Sequence, residues 1–224
     1  MTNQNEKSIQ ENKQDLPLEE LAKILIKKGE NRKAELIYRD LIKAGSQNHI
    51  VFSNLSVLCG WRGEHKEKIV LLKQALSINP LFPEAHSNLG DVLQHTGETD
   101  AAISSCLKAL QLKYDFPEAH YNLANAYLDR GDLNKAINSY KEALIFNPSY
   151  VKALSNLGLA FHAQGDFNAA INSFQKALKL NPDFPDPHLN LSHSLFFVGD
   201  YARGWEEYEY RFDEVQHRCI PHAK

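Results

Sequence analysis

Apolar residues recur along this chain at helical spacing, and the pattern itself returns every thirty-four residues. The stretch PEAHSNLG at 83–90 comes back as PEAHYNLA at 117–124. Blocks 15–48, 49–82, 83–116, 117–150, 151–184 and 185–218 align without insertion or deletion. Block position 7 is always leucine: Leu21, Leu55, Leu89, Leu123, Leu157 and Leu191. Position 15 is always glycine: Gly29, Gly63, Gly97, Gly131, Gly165 and Gly199. Position 16 is always acidic: Glu30, Glu64, Glu98, Asp132, Asp166 and Asp200. In the fourth block, His120, Leu123, Ala124 and Tyr127 follow the i, i+3, i+4, i+7 rule of one helix face. Ala136, Ile137, Tyr140, Ala143 and Leu144 make a second stripe. The glycine between them suits a left-handed helix terminus, and the acid after it favours the next N-terminal dipole. Pro80, Pro148 and Pro182 at position 32 end the second helix, because proline lacks the donor and clashes with the preceding turn. Each block therefore predicts a helix, a tight turn and an antiparallel helix. One hairpin cannot bury both faces, whereas stacked hairpins can, at about 1.5–3 kcal/mol per buried Leu or Ile. The expected fold is all-α, a solenoid of about six helix-turn-helix repeats.

This period resembles the tetratricopeptide repeat, with Leu–Gly/Ala at positions 7–8, Ala at 20, an aromatic at 24, Ala at 27 and Pro at 32. The resemblance spans about 15–218 and is fullest in ALSNLGLAFHAQGDFNAAINSFQKALKLNP, 153–182. It implies a right-handed superhelix whose first helices line the concave surface. Departures are Ser46 and Tyr114 in the proline column, Lys68 in the first alanine column, and Gly204 and Arg211 in both alanine columns of the last block.

Position 6 carries Asn54, Asn88, Asn122, Asn156 and Asn190, and Glu20 in the first block. It lies beside the core stripe and shares a helix face with positions 2, 9 and 13. Packed helices sit about 8–10 Å apart and an extended peptide advances about 3.3 Å per residue. One carboxamide per block thus meets an extended chain roughly every third residue, offering donor and acceptor to its main chain. The column resembles the asparagine ladder in the repeat domain of O-linked N-acetylglucosamine transferases. The same column also admits internal stitching between neighbouring turns. Glu84, Asp91, Glu118, Asn125 and Asp129 give the expected groove an acidic, polar centre, with Trp61 and Phe197 as apolar anchors. Lys23, Lys27 and Lys152 are too scattered for a carboxylate clamp, so neutral or basic extended segments are the expected ligands.

Composition changes little in this picture. Hydrophobic residues are 43%, charged residues 24% and net charge −3, with no basic stripe for nucleic acid. No apolar run approaches the ~20 residues of a membrane helix. Cys59, Cys106 and Cys219 are odd in number and scattered, which points to a reduced, cytoplasmic chain. His86, His120 and His188 share position 4 and read as packing; His217, Cys219 and His222 make only a weak metal cluster. No phosphate loop, nucleophile elbow or dinucleotide fingerprint is present, and no cofactor or metal is expected. Residues 1–14 read as a disordered lead-in and 219–224 as a tail. Trp205, Tyr208, Tyr210 and Phe212 crowd the last block, where a solenoid needs a polar cap. The stretch 199–212 resembles the junction of bacterial tetratricopeptide proteins that continue into a glycosyltransferase-like domain. Three readings follow: a scaffold gripping a peptide of a partner protein, the recognition arm of a glycosyltransferase, or a self-assembling module that dimerises through its C-terminal repeat.

Overall fold

The structure, a computed structural model, describes residues 17–219, with side chains as far as 210. The lead-in 1–14 and tail residues 220–224 lie outside the described residues. Twelve helices lie among the described residues, with no strand: α1 (Leu18–Lys27), α2 (Asn31–Lys43), α3 (His49–Trp61), α4 (His65–Ile78), α5 (Pro83–His95), α6 (Thr99–Leu112), α7 (Pro117–Asp129), α8 (Leu133–Phe146), α9 (Val151–Gln164), α10 (Phe167–Leu180), α11 (Pro185–Phe197) and α12 (Tyr201–Cys219). They fall into two compact units, residues 1–92 and 93–224, divided within α5.

Turn chemistry sets the pairing in both units. All six position-15 glycines have positive φ, between 73° and 86°, where a side chain would be strained. Gly45 adds a seventh at φ 84° and ends α2, which is why Ser46 can replace proline there. Ser46 then accepts from the Asn48 amide, and Asn48 caps α3 by accepting from Ile50 N. The position-16 acids are N-terminal caps in place, but only Asp166 and Asp200 reach a helix amide, at Ala169 and Arg203.

In the first unit Ala34, Tyr38, Val51, Leu55, Cys59, Leu72 and Ala75 form the core, all at most 1% exposed. Lys68, in a column where four blocks hold alanine, runs past Gly60 and pairs with Asp91 at 2.6 Å. Arg39 forks onto Glu67 at 2.7 and 3.1 Å and also bonds Glu35, tying α2 to α4. In the second unit, Ala124, Ala136, Ile137, Tyr140, Ala143, Ala153, Leu157 and Ala160 make one cluster, and Ala170, Phe174, Leu191 and Leu195 another. The alanines let helix backbones approach closely, and small residues make room for large rings. Gly158 is the clearest case: a Cβ there would sit 2.5 Å from the Phe174 ring. In the last hairpin the sizes are exchanged, with Gly204 leaving room for Phe196.

Candidate functional site

The five asparagines are all half-buried, at the edge of the core stripe. Their hydrogen bonding differs from block to block. Asn54 Nδ2 donates to the Tyr38 hydroxyl at 3.0 Å. Asn156 Nδ2 donates to the Tyr121 hydroxyl at 3.2 Å and to Asn125 Oδ1 at 3.0 Å. Asn125 Oδ1 also accepts from the Tyr140 hydroxyl at 2.6 Å, so both its lone pairs are engaged. Burial raises the Tyr140 phenol pKa and keeps it a donor. Asn122 is engaged within the fold. Among the described residues, Asn88 and Asn190 make no side-chain hydrogen bond.

The acids assigned to the groove are partly committed too. Asp91 holds the Lys68 ammonium, and Asp129 accepts from Gln94 Nε2 at 2.5 Å. Glu118 is exposed and Glu84 half-buried. Of the scattered cations, Lys23 is held by Glu20 at 2.7 Å, one turn away. Trp61 and Phe197 are open, 61% and 66% exposed. Phe197 stacks on Phe167 at 4.5 Å, with His162 edge-on at 5.4 Å. Trp205 is 56% exposed and leans on Phe196 and Tyr208.

The histidine column has a structural use. His86, His120 and His188 direct Nε2 at the carbonyls of Pro80, Tyr114 and Pro182, at 2.8–2.9 Å. Each clips the last turn of the preceding block, a carbonyl that proline or extended backbone leaves without a helix partner. His188 also meets Glu207 at 2.5 Å through Nδ1, which fastens α11 to α12. The buried His120 stacks on Phe146 and meets Tyr114 edge-on. Burial lowers its pKa, against the opposing pull of the Tyr114 carbonyl. The unfolded chain therefore takes up the proton first as pH falls through about 6.5, and stability declines. Urea midpoints should be lower at pH 5.5 than at pH 7.5, and the difference should shrink in His120→Phe. An unchanged difference would remove His120 as the cause.

A second series of bonds runs along the turns. Arg62 pairs with Glu35, Arg130 with Asp100 at 3.1 Å, and Gln164 with Asn134 at 2.6 Å, each reaching the preceding hairpin. Beside the first lies an open pocket of about 800 Å³ lined by Leu36, Leu58, Trp61, Arg32 and Arg62 among others. Beneath it Cys59, Glu64 and Glu67 bring ligand-type atoms within 4.8 Å of one another. This grouping is invisible in the chain order and was missed by motif reading. Its chemistry is that of a salt-bridge cluster. Burial, reinforced by Glu67, pushes the Cys59 thiol up to about 12, so it is not a thiolate. Burial raises the Glu35 pKa, but Arg39 and Arg62 outweigh it and hold the carboxylate low. The Arg39 guanidinium bound to Glu67 does the same there. The His217, Cys219 and His222 group lies outside the described side chains. No described helix is long and apolar enough to cross a membrane.

Family models for the tetratricopeptide repeat match residues 71–104 and 151–184, and a further TPR repeat model matches 124–165. No curated protein sequence matches. Several solved structures share the fold. MamA residues 41 to the end from Desulfovibrio magneticus RS-1 is 22% identical with a TM-score of 0.69, covering 79% of this chain and 99% of that one. PilF from Pseudomonas aeruginosa is 24% identical with a TM-score of 0.67, covering 72% of this chain and 74% of its own. YrrB, described as a TPR protein with an unusual peptide-binding site, is 16% identical with a TM-score of 0.62, covering 79% and 91%. With paired helices, left-handed glycine turns and these matches in hand, residues 71–104 and 124–184 are recognised as tetratricopeptide repeats.

Proposed function

We propose that the chain is a protein-interaction scaffold that holds an extended segment of a partner along the asparagine-bearing faces of its first helices. One observation carries this reading. Whereas Asn54 and Asn156 bond neighbouring side chains, the Asn88 and Asn190 carboxamides keep donor and acceptor uncommitted among the described residues. Leaving such a group without a partner on a helix, where asparagine is a mediocre former, brings the fold itself nothing. The peptide-binding site of YrrB supports the class of ligand. Glu84, Glu118 and the partly engaged Asp129 favour a neutral or basic segment. Fluorescence anisotropy with matched serine–lysine and serine–glutamate peptides tests it. The lysine peptide should bind more tightly, and the preference should weaken with salt. Tighter binding of the glutamate peptide would overturn the charge reading.

A second reading has its own observation. Tyr201 and Trp205 leave 63% and 56% of their surface exposed on α12, the last helix described. Self-association through this face would make sedimentation concentration-dependent, and Trp205→Glu would abolish it. A monomer at every concentration removes this reading.

A further inference from the structure

Each asparagine stands sixteen positions after a buried residue on the second helix of the preceding block, and at Asn54 that residue engages the carboxamide directly. Those residues are Tyr38, Leu72, Cys106, Tyr140 and Phe174 for Asn54, Asn88, Asn122, Asn156 and Asn190 respectively. All five are buried at 0% exposure. A buried tyrosine must find a partner for its hydroxyl. Tyr38 finds it in Asn54, and Tyr140 in Asn125, the acceptor that Asn156 shares. Leu72 and Phe174 present only carbon and hydrogen, and the asparagines sixteen positions after them are those without a side-chain hydrogen bond among the described residues. Asn156 has both N–H groups of Nδ2 engaged, by Tyr121 and Asn125. Asn54 has one engaged and its rotamer fixed by that bond. Asn88 and Asn190 keep two donors and two acceptor lone pairs.

We infer that Asn88 and Asn190 are the carboxamides that bind a ligand main chain, one in each unit, that Tyr38 withholds Asn54, and that Tyr121 together with Asn125, itself held by Tyr140, withholds Asn156. The inference rests on the peptide-binding reading above and narrows it. The ligand is recognised by a peptide N–H donated to Oδ1 and a peptide C=O accepting from Nδ2, so its backbone amides must be unmethylated at the contact. Its side chains are left to the flanking residues. Tyr38 and Tyr140 are positioning residues in this scheme, since they act through the asparagines.

The test uses the full chain and a fluorescein-labelled peptide of alternating serine and lysine, followed by anisotropy, beside the same peptide with alternate amides N-methylated. The wild type should bind the unmethylated peptide and lose most affinity for the methylated one. A lost hydrogen bond of about 1 kcal/mol corresponds to about fivefold, so Asn88→Ala and Asn190→Ala should each weaken binding about fivefold, with melting temperature retained. Asn54→Ala and Asn156→Ala should stay within about twofold in affinity and melt lower, as loss of an internal bond requires. Tyr38→Phe keeps the ring and frees Asn54, so it should tighten binding, and adding Asn54→Ala should cancel the gain. Similar weakening from all four alanine variants, or from Asn54→Ala and Asn156→Ala alone, would overturn the inference while leaving the peptide reading intact. Equal affinity for both peptides would overturn main-chain recognition. Absence of wild-type binding to either peptide would remove the peptide reading, and this inference with it.

Discussion

Phe174→Ala is expected to lower the stability of the second unit by about 3–5 kcal/mol. The ring is fully buried, between Gly158 of the same hairpin and the Leu191 and Leu195 side chains of the next. Truncation removes apolar contact on both sides and leaves a cavity that two helices cannot close without moving their backbones. Urea denaturation followed by circular dichroism at 222 nm reads the loss. A change below about 1 kcal/mol would show that the ring does not fill the space assigned to it. The neighbouring glycine supplies a control. Gly158→Ala alone should destabilise, because its Cβ would lie 2.5 Å from the ring. In the Phe174→Ala background that clash is gone, so the double variant should be less destabilised than the two single losses added together.

Gly204→Val is expected to destabilise the last hairpin by about 1–3 kcal/mol or more. A Cβ at this buried position would stand 2.4 Å from Cε1 of Phe196, and the ring has nowhere obvious to turn. Phe196 is already packed by Trp205 at 5.1 Å and Tyr208 at 6.3 Å. The valine must therefore push α12 away, and the Trp205 emission should shift in a Trp61→Phe background. Retained emission and melting temperature would refute the close packing. Phe196→Leu, which shortens the side chain, should recover part of the loss.

Much of this fold is legible in the chain. The glycine column marks six of the seven left-handed turns among the described residues, because no other residue adopts that backbone without strain, and the alanines mark the close helix contacts. The departures are harder to read because their compensation sits elsewhere. Lys68 breaks the alanine column and Gly60, eight residues earlier, makes room for it. Gly204 breaks the same column and Phe196, again eight residues earlier, fills the gap. A column read alone shows two anomalies, whereas the pair of columns shows one volume exchanged between helices. The candidate site repeats the lesson. Five asparagines in register look equivalent, since spacing reports only where a side chain starts. Whether its amide is engaged depends on a hydroxyl from another helix, as at Tyr38 and Tyr121. The Cys59, Glu64 and Glu67 grouping is similar: the chain shows three ordinary residues, and only the fold shows two arginines already holding the acids.

The tyrosine that engages Asn54 belongs to the hairpin before it, not to the one that carries the asparagine. An engineered array that inherited this rule would change its recognition surface by permuting whole modules. Moving a tyrosine-bearing module ahead of a given neighbour would silence that neighbour, and moving a leucine-bearing one there would reawaken it. Duplication and shuffling alone, the commonest events in the history of tandem genes, would then alter ligand choice without one substitution on the face that touches the ligand.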